Sequence, residues 1–288
     1  MEITDATRAI AAATSIAVSL GLPADEAVVL HNSNKLALRL TPCDVFARVA
    51  RVGEEVAQFE VELAQRLAEV GCPVCPLEPR VDPRVYRRDG FAVTLWTYCE
   101  PVSPHTAPVD YAKALEQLHA AMREVDVPSP RFTDRITEAE AVVADPSRSP
   151  ELPDAEREFL GGRLASLRRA IDDRGAVEQL LHGEPHPGNV LGTRNGPLFI
   201  DLETCCRGPV EFDLAHVPEA VREHYPNVDQ GLLDECRQVV LAMVAAWRWE
   251  LGDQFPNGRL FGEGLLRALH DGPPWPTLDS LHERLGGL

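Results

Sequence analysis

Long apolar runs, positive charge and basic residues near the N-terminus are all scarce in this sequence. No apolar run approaches the roughly 20 residues needed to span a bilayer, which argues against a membrane protein. The 28 Lys and Arg are outnumbered by 45 Asp and Glu, and the net charge of −17 disfavours nucleic acids and anionic membranes as partners. Glu2 and Asp5 stand where a signal peptide has its basic start, so we predict a cytoplasmic protein.

Cysteine is also uncommon and shows no pairing pattern. Seven cysteines, an odd number, are typical of a protein whose thiols are reduced, and we expect them to be reduced here. Cys72 and Cys75 have the spacing of a redox or zinc motif, but no second pair at zinc spacing follows, so we interpret them as incidental thiols in a loop. Cys205 and Cys206 are expected to pack as small apolar side chains.

The remaining composition is that of an ordinary globular protein. A hydrophobic fraction of 44% is sufficient for a core, and 288 residues fit one large or two small units. The acidic balance would suit a cationic substrate, although solubility is the simpler explanation.

The densest group of acid, amide and imidazole side chains lies at residues 182–189, His-Gly-Glu-Pro-His-Pro-Gly-Asn. Two short apolar runs follow, at 190–191 and 198–200, and the linker between them contains Asn195-Gly196. Asn-Gly between apolar runs predicts a β-hairpin, because both residues tolerate positive φ. We therefore expect Asn189 and Asp201, at the two ends of the hairpin, to lie about one or two strand spacings of roughly 5 Å apart.

An amide and a carboxylate held together suit a small hard cation such as Mg²⁺. Glu184 adds a second carboxylate nearby, on a loop that glycine and proline keep out of helix. Zinc is the alternative, since His182 and His186 are four positions apart, but zinc ligands at that spacing need a helix, which Gly183 and Pro185 disfavour. A chance match of a polar loop is the other alternative.

These residues resemble the signature of the aminoglycoside phosphotransferase and choline kinase superfamily: His-Gly-Asp, then Asn, then a strand that ends in Ile-Asp. The resemblance implies a protein-kinase-like fold and transfer of the γ-phosphoryl group of a nucleotide to a hydroxyl of a small molecule. It implies that Asn189 and Asp201 hold Mg²⁺ and that His182 braces the catalytic loop. It also implies that Glu184 orients the acceptor hydroxyl and accepts its proton.

Position 184 departs from the family pattern, because glutamate stands where aspartate is usual. Glutamate keeps the charge but is one methylene longer, and a misplacement of about 1 Å can cost on the order of 100-fold in rate. We interpret the substitution as tolerable.

The N-terminal part resembles the nucleotide-binding region of the family. A helix is predicted over residues 4–20, three antiparallel strands near 27–30, 36–40 and 45–49, and a helix over 54–70. The resemblance implies that Ser33 and Asn34, in a polar turn, offer backbone N–H groups to phosphates, and that Arg48 takes the place of the usual strand lysine. Glu60 would pair with Arg48, with Glu62 a close competitor.

A second hairpin, with Asp89-Gly90 as its turn, is predicted to lead into residues 97–101. This segment resembles the family hinge, whose backbone groups contact the nucleotide base. We therefore include Trp96 and Tyr98 among the nucleotide-binding residues, although strand residues there are as often core.

Helices dominate the remainder, with predicted spans of 111–125, 136–143, 155–174, 230–251 and 262–269. His119 is interpreted as a buried structural histidine. Asp213 resembles the family aspartate that braces the catalytic loop. Trp247 and Trp249 are expected to face different sides of their helix, as core residues.

The prediction is an α+β, protein-kinase-like bilobal fold, with a small antiparallel-sheet N-lobe at 1–99 and a larger, mainly helical C-lobe at 100–288. Nucleotide and Mg²⁺ would lie between the lobes. The expected activity is ATP-dependent phosphorylation, with GTP possible, of an aminoglycoside or other amino-sugar or alcohol. A nucleotide-binding pseudokinase is the alternative, and the protein is expected to be a monomer or homodimer.

Overall fold

The structure, a computed structural model, describes residues 3–33, 35–53, 56–103 and 105–285. Asn34, which the sequence analysis assigned to phosphate binding, lies outside the described residues, as do residues 54–55 at the predicted start of the second helix.

The described residues form helices α1–α10 and strands β1–β9. In chain order these are α1 Ile3–Ser19, β1 Ala24–Asn32, β2 Leu36–Pro42, β3 Val45–Arg51, α2 Val56–Glu69, β4 Tyr86–Arg88, β5 Phe91–Thr97, α3 Pro108–Arg123, α4 Phe132–Ala144, α5 Asp154–Arg174, β6 Gln179–Leu181, β7 Val190–Thr193, β8 Gly196–Phe199, β9 Cys206–Gly208, α6 Val210–Leu214, α7 Glu219–Arg222, α8 Gln230–Arg248, α9 Gly258–Asp271 and α10 Leu278–Arg284. The long helices and the hairpins follow the apolar periodicities read from the sequence, with ends displaced by a few residues.

Contacts divide the chain into two compact units. Unit 1 comprises Met1–Thr106 and Asn189–Glu203, and unit 2 comprises Ala107–Gly188 and Thr204–Leu288. The chain therefore passes between the units three times. The assignment of residues 1–99 to nucleotide binding and 100–288 to catalysis and acceptor binding stays a prediction.

A five-stranded antiparallel sheet of order β1-β2-β3-β5-β4 is the centre of unit 1. Strands β1 to β3 form the predicted meander. The predicted turn between β4 and β5 is confirmed, since Asp89 and Gly90 both have positive φ, 51° and 83°. Strand β5 is buried along six of its seven residues, because it has strands on both sides and helix α2 packs against it.

Helix α1 packs on the sheet through its alanine face. Ala9, Ala13 and Ala17 are fully buried, and they belong to the same core as Leu36 and Leu38 of β2. Strand β2 alternates between buried and half-buried residues, so one of its faces forms this core.

The hairpin β7–β8 belongs to unit 1 because its second strand bonds to the segment after α2. The Phe199 N–H donates to the Pro73 carbonyl at 2.8 Å, and the Cys75 N–H donates to the Phe199 carbonyl at 2.9 Å. The Phe199 side chain is fully buried. The predicted hairpin is confirmed, with Thr193 paired to Gly196 across a turn at residues 194–195.

Unit 2 is mainly helical. Helix α8 is buried along more than half of its length and packs against α4, α5 and α9. The short strands β6 and β9 pair with each other, and β6 leads directly into His182. Within the described ranges, no helix combines the length and apolar character needed to cross a membrane.

The expectation that all seven cysteines are reduced is wrong in this structure. Cys75 and Cys99 form a disulfide, and the five other cysteines are not disulfide-bonded. Cys75 follows α2 and Cys99 follows β5, and Leu77 forms a bridge with Trp96 that brings the two segments together. Cys205 and Cys206 are fully buried, as expected.

Replacing Phe199 with alanine tests how β7–β8 is fixed. Because the ring is fully buried, we expect Phe199→Ala to lower the free energy of unfolding by about 3–5 kcal/mol. Urea denaturation measures this. Val177→Ala is the control, since Val177 is 89% exposed, and should change stability by less than about 0.5 kcal/mol. Equal effects of the two variants would contradict the packing described.

Candidate active site

Arg48 and Glu60 form a buried ion pair in unit 1. Arg48 Nη1 donates to Glu60 Oε1 at 2.6 Å, and the Glu60 side chain is 2% exposed. The competing residue, Glu62, instead accepts a hydrogen bond from Gln58 on the exposed side of α2. The sequence-based pairing of β3 with α2 is therefore present, while its role in nucleotide binding stays a prediction.

Arg48 also contacts Asp201, one of the two predicted metal ligands. Arg48 Nη2 donates to Asp201 Oδ1 at 2.7 Å, and the Asp201 side chain is 31% exposed. The Ile200 N–H donates to the Asn189 carbonyl at 3.0 Å, so the hairpin pairing continues to its ends. Asn189 is thus hydrogen-bonded to the residue that directly precedes Asp201. Across the described residues, no three His, Cys, Asp or Glu side chains form a metal cluster.

Glu203 is a second carboxylate that the sequence analysis did not assign. It follows Asp201 in a bent segment, because β8 ends at Phe199, Asp201 has a φ of 67°, and residues 202–204 form a short 3₁₀ helix. Glu203 Oε1 lies 3.3 Å from Arg48 Nη2, so Glu203 and Asp201 contact the same cation.

Lys35 is a residue that the sequence analysis did not assign. Its side chain is buried and forms an ion pair with Glu203, and its Nζ lies 3.9 Å from Glu60 Oε2. Unit 1 thus contains a cluster of two cations, Lys35 and Arg48, and three carboxylates, Glu60, Asp201 and Glu203. The signal that could have found Lys35 is its rarity, since the chain has only one other lysine, Lys113.

The other predicted nucleotide-binding residues have structural contacts. Ser33 closes its turn by donating its N–H to the Lys35 carbonyl at 3.0 Å. Trp96 is buried and donates Nε1–H to Thr94 Oγ1 at 2.9 Å. Tyr98 packs under the Arg39 guanidinium, 4.1 Å from the ring centroid, and its N–H donates to the Asp44 carbonyl. The roles of Ser33, Trp96 and Tyr98 in nucleotide binding stay predictions.

The loop that carries Glu184 is held in unit 2 by Asp213. The buried Asp213 carboxylate accepts hydrogen bonds from the N–H groups of His182 and Gly183 at 2.9 and 2.8 Å. His119 Nε2 lies 2.9 Å from the same carboxylate, and His119 Nδ1 lies 2.8 Å from the Tyr225 hydroxyl, which fits an Nε2–H donor and an Nδ1 acceptor. The predicted buried role of His119 and the predicted bracing role of Asp213 are both confirmed.

Hydrogen bonds explain how the fully buried Asp213 stays charged. Burial alone would raise the pKa of this carboxyl, but hydrogen bonds from His119 and from the Gly183 N–H outweigh it and lower the pKa below its ordinary value. His182 is also fully buried, and its carbonyl accepts a hydrogen bond from Thr204 Oγ1 at 3.1 Å. His182 is therefore fixed within the loop, while the bracing role that the resemblance implies stays a prediction.

Glu184 is bound by an arginine that the sequence analysis did not assign. Arg135 of α4 forms an ion pair with Glu184 Oε1, and its Nη1 donates to the Gly183 carbonyl at 3.2 Å. The Glu184 side chain is 24% exposed. Burial raises the pKa of Glu184, but the charge and the hydrogen bond of Arg135, together with smaller contributions from His216 and His186, outweigh burial, so the pKa is lowered and Glu184 is ionised at neutral pH.

Two further residues of unit 2 surround this pair. The Trp247 ring lies beneath the Arg135 guanidinium, 5.2 Å from ring centroid to Cζ, so Trp247 contributes more than the core packing expected of it. His216 is buried, and burial lowers its pKa to about 4, so its imidazole is neutral at pH 7. Neither role has a readable sequence signal, because helix α8 and the segment after α6 carry no motif for them.

The family of the chain follows from comparison with known proteins. The sequence model of the phosphotransferase enzyme family matches residues 29–247, and the chain therefore belongs to that family. It is a small-molecule kinase by this membership. No curated protein sequence matches the chain.

Solved structures with the same fold include kinases of several small alcohols. An amicoumacin kinase, hAmiN, is similar with a TM-score of 0.71 at 10% identity, covering 98% of this chain and all of that one. A choline/ethanolamine kinase family protein from Mesorhizobium loti has a TM-score of 0.67 at 18% identity, with 98% and 100% covered. The choline kinase LicA from Streptococcus pneumoniae has a TM-score of 0.67 at 17% identity, with 90% and 98% covered. The predicted class, an α+β protein-kinase-like fold, is confirmed.

Replacing Gly183 tests the geometry of the loop. Gly183 has a φ of 88°, and a Cβ there would lie 1.9 Å from the Thr204 carbonyl oxygen. We expect Gly183→Ala to destabilise the protein by at least about 1–3 kcal/mol, the cost of the backbone conformation alone, measured by thermal unfolding. Gly162→Ala is the control, because Gly162 lies in helix α5 with open space around it and should gain about 1 kcal/mol. A neutral Gly183→Ala would contradict this loop conformation.

Proposed function

We propose that this protein is an active kinase that transfers the γ-phosphoryl group of ATP, with Mg²⁺, to a hydroxyl group of a small molecule. The observation that carries the proposal is the contact of one guanidinium, that of Arg48, with both Glu60 and Asp201. A permanent cation beside a carboxylate suited to Mg²⁺ is the combination that a nucleoside triphosphate and its metal require.

Asn189 and Asp201 suit Mg²⁺ by their chemistry. They offer an amide oxygen and a carboxylate from the adjoining ends of one hairpin, and Mg²⁺ is usually bound by one or two protein oxygens together with phosphates and water. When bound, the ion would neutralise charge on the phosphates. Arg48 would bind the α- and β-phosphates, and Glu60 would hold its guanidinium in place.

Glu184 would orient the acceptor hydroxyl. In the reaction, the acceptor oxygen bonds to the γ-phosphorus, the bond from that phosphorus to the β-phosphate oxygen breaks, and the hydroxyl proton passes to the Glu184 carboxylate. The lowered pKa of Glu184 keeps it ionised and ready to accept a hydrogen bond, but also makes it a weak base. Orientation is therefore its larger contribution.

The acceptor we propose is an aminoglycoside or another amino-sugar or amino-alcohol. Kinases similar in fold include an amicoumacin kinase and choline kinases, and a structure of a 2″-aminoglycoside phosphotransferase was solved with GDP and kanamycin. The net charge of −17 favours a cationic acceptor over an anionic one. ATP is proposed as the donor, and GTP is the alternative to be tested beside it.

Nucleotide binding tests the metal ligands. Calorimetry with the ATP analogue AMP-PNP should show binding that depends on Mg²⁺. We expect Asp201→Asn to weaken it at least about tenfold, equal to 1.4 kcal/mol, because a ligand charge is lost. Asp234→Asn is the matched control, since Asp234 is exposed on α8 and should bind as the wild type does. Binding that ignores Mg²⁺, or equal affinity of the two variants, would count against the assignment.

Turnover tests the role of Glu184. A panel of aminoglycosides, amino-alcohols and sugars is offered with ATP or GTP, and phosphorylated product is detected by mass spectrometry. We expect Glu184→Gln to reduce kcat by about 10²–10⁴-fold while AMP-PNP affinity is unchanged, and the exposed Glu158→Gln to be without effect. Mg²⁺-dependent binding without turnover on any acceptor would instead identify a pseudokinase.

A further inference from the structure

The side chain of Glu184 is flexible, and this flexibility opposes the fixed position that a catalytic carboxylate needs. Its three side-chain torsions must be ordered before the carboxylate can hold a hydroxyl in place, and ordering a side chain of this length costs free energy. A carboxylate that is 24% exposed can also reorient into solvent. A second group is therefore needed to fix Glu184, and the structure offers one.

We propose that Arg135 is the positioning residue of Glu184, because its guanidinium joins the Glu184 carboxylate to the backbone carbonyl of Gly183. The proposal rests on the proposed function, in which Glu184 orients the acceptor. One nitrogen, Nη2, pairs with Glu184 Oε1, and the other, Nη1, donates to the Gly183 carbonyl at 3.2 Å. A planar guanidinium that bonds to a side chain and to the preceding backbone carbonyl restricts the torsions between them.

Arg135 is itself held rigidly by the start of helix α4. The Arg131 N–H is capped by the Asp134 carboxylate at 2.8 Å, and Phe132 is fully buried with its ring centroid 5.2 Å from that of Phe212. The Arg207 N–H of β9 donates to the Pro130 carbonyl at 2.8 Å. Strand β9 pairs with β6, and β6 leads into the 182–184 loop. The backbone at Arg135 and the backbone at Glu184 are therefore connected through the same pair of strands.

Trp247 of helix α8 also contacts the Arg135 guanidinium. Its ring centroid lies 5.2 Å from Arg135 Cζ, within the range of a cation–π contact. The guanidinium is thus held by a carboxylate, a carbonyl and an aromatic ring, and its side chain is only 18% exposed.

Arg135 supplies the decisive charge at Glu184. The other titratable groups of the described residues that interact with this carboxylate are His216 after α6, His186 in the same loop, Arg248 at the end of α8 and the buried thiol of Cys206. His216 is neutral at pH 7 because it is buried, and Arg135 is the group that forms an ion pair with the carboxylate. Removing the Arg135 charge should therefore let burial raise the pKa of Glu184.

The first test measures the pKa of Glu184 directly and needs no acceptor. The protein is labelled with ¹³C at the glutamate carboxyl, and the Glu184 resonance is identified by its absence in Glu184→Gln. We expect the pKa of Glu184 to lie below its ordinary range in the wild type and to be raised in Arg135→Met. Arg135→Lys should give an intermediate value, because lysine keeps the charge but cannot bond to two acceptors through a planar guanidinium. Arg131→Met is the control, since Arg131 directly precedes the same helix and its guanidinium pairs with Glu178 at the protein surface. An unchanged pKa in both Arg135 variants would overturn the proposal.

The second test measures turnover with an acceptor from the screen. We expect Arg135→Met to lower kcat about 100-fold with the KM for ATP unchanged, and Arg135→Lys to restore part of the rate. In a Glu184→Asp background the same substitution should cost less, because the shorter side chain has one torsion fewer to hold. A rise in kcat on Arg135→Met would overturn the proposal, since Arg135 would then restrain Glu184 from its substrate.

The two tests separate failure of this proposal from failure of the proposed function. A wild type that phosphorylates no acceptor refutes the proposed function and the catalytic part of the proposal, while the carboxyl titration still shows whether Arg135 holds Glu184. Should Arg135→Met fail to fold, Arg135→Lys keeps the apolar stem and the charge and gives the same two readouts.

Discussion

The charged carboxylate of Asp213 fixes the loop that carries Glu184, the residue proposed to orient the acceptor. Two consecutive backbone N–H groups, of His182 and Gly183, donate to it, and His119 lies within hydrogen-bonding distance of the same group. An isolated buried carboxylate would be costly, but one that accepts several hydrogen bonds stays ionised and becomes a rigid anchor. Glu184 directly follows Gly183 in the chain, so the hydrogen bonds to Asp213 also restrict the position of the Glu184 backbone.

The charged side chains of unit 1 form a network of ion pairs instead of surrounding one carboxylate. Lys35 and Arg48 are shared among Glu60, Asp201 and Glu203, so no cation there has a single partner. Each of these two cations therefore keeps a carboxylate partner when one of its contacts is lost. A phosphate that drew Arg48 from Asp201 would leave Arg48 bonded to Glu60.

The sequence was informative where a pattern is local. The hairpin between 190 and 199 follows from apolar runs around Asn-Gly. The Arg48–Glu60 pair was implied by the resemblance to the family and not by a local pattern. Local patterns do not predict the position of Glu203, because its segment is a short 3₁₀ helix after β8 and not a strand. Arg135 lies 49 positions before Glu184, and Cys75 lies 24 before Cys99, so neither contact leaves a trace in local periodicity.

The interleaving of the two units limits how this protein can be divided. Unit 1 takes a strand pair, with Asn189 and Asp201 at its ends, from the middle of the polypeptide that forms unit 2. A fragment that stops at Thr106 would keep Lys35, Arg48 and Glu60 but lose two of the three carboxylates that balance them, together with the ring of Phe199. Gene fusion or recombination could therefore not exchange unit 1 as one contiguous segment of the gene.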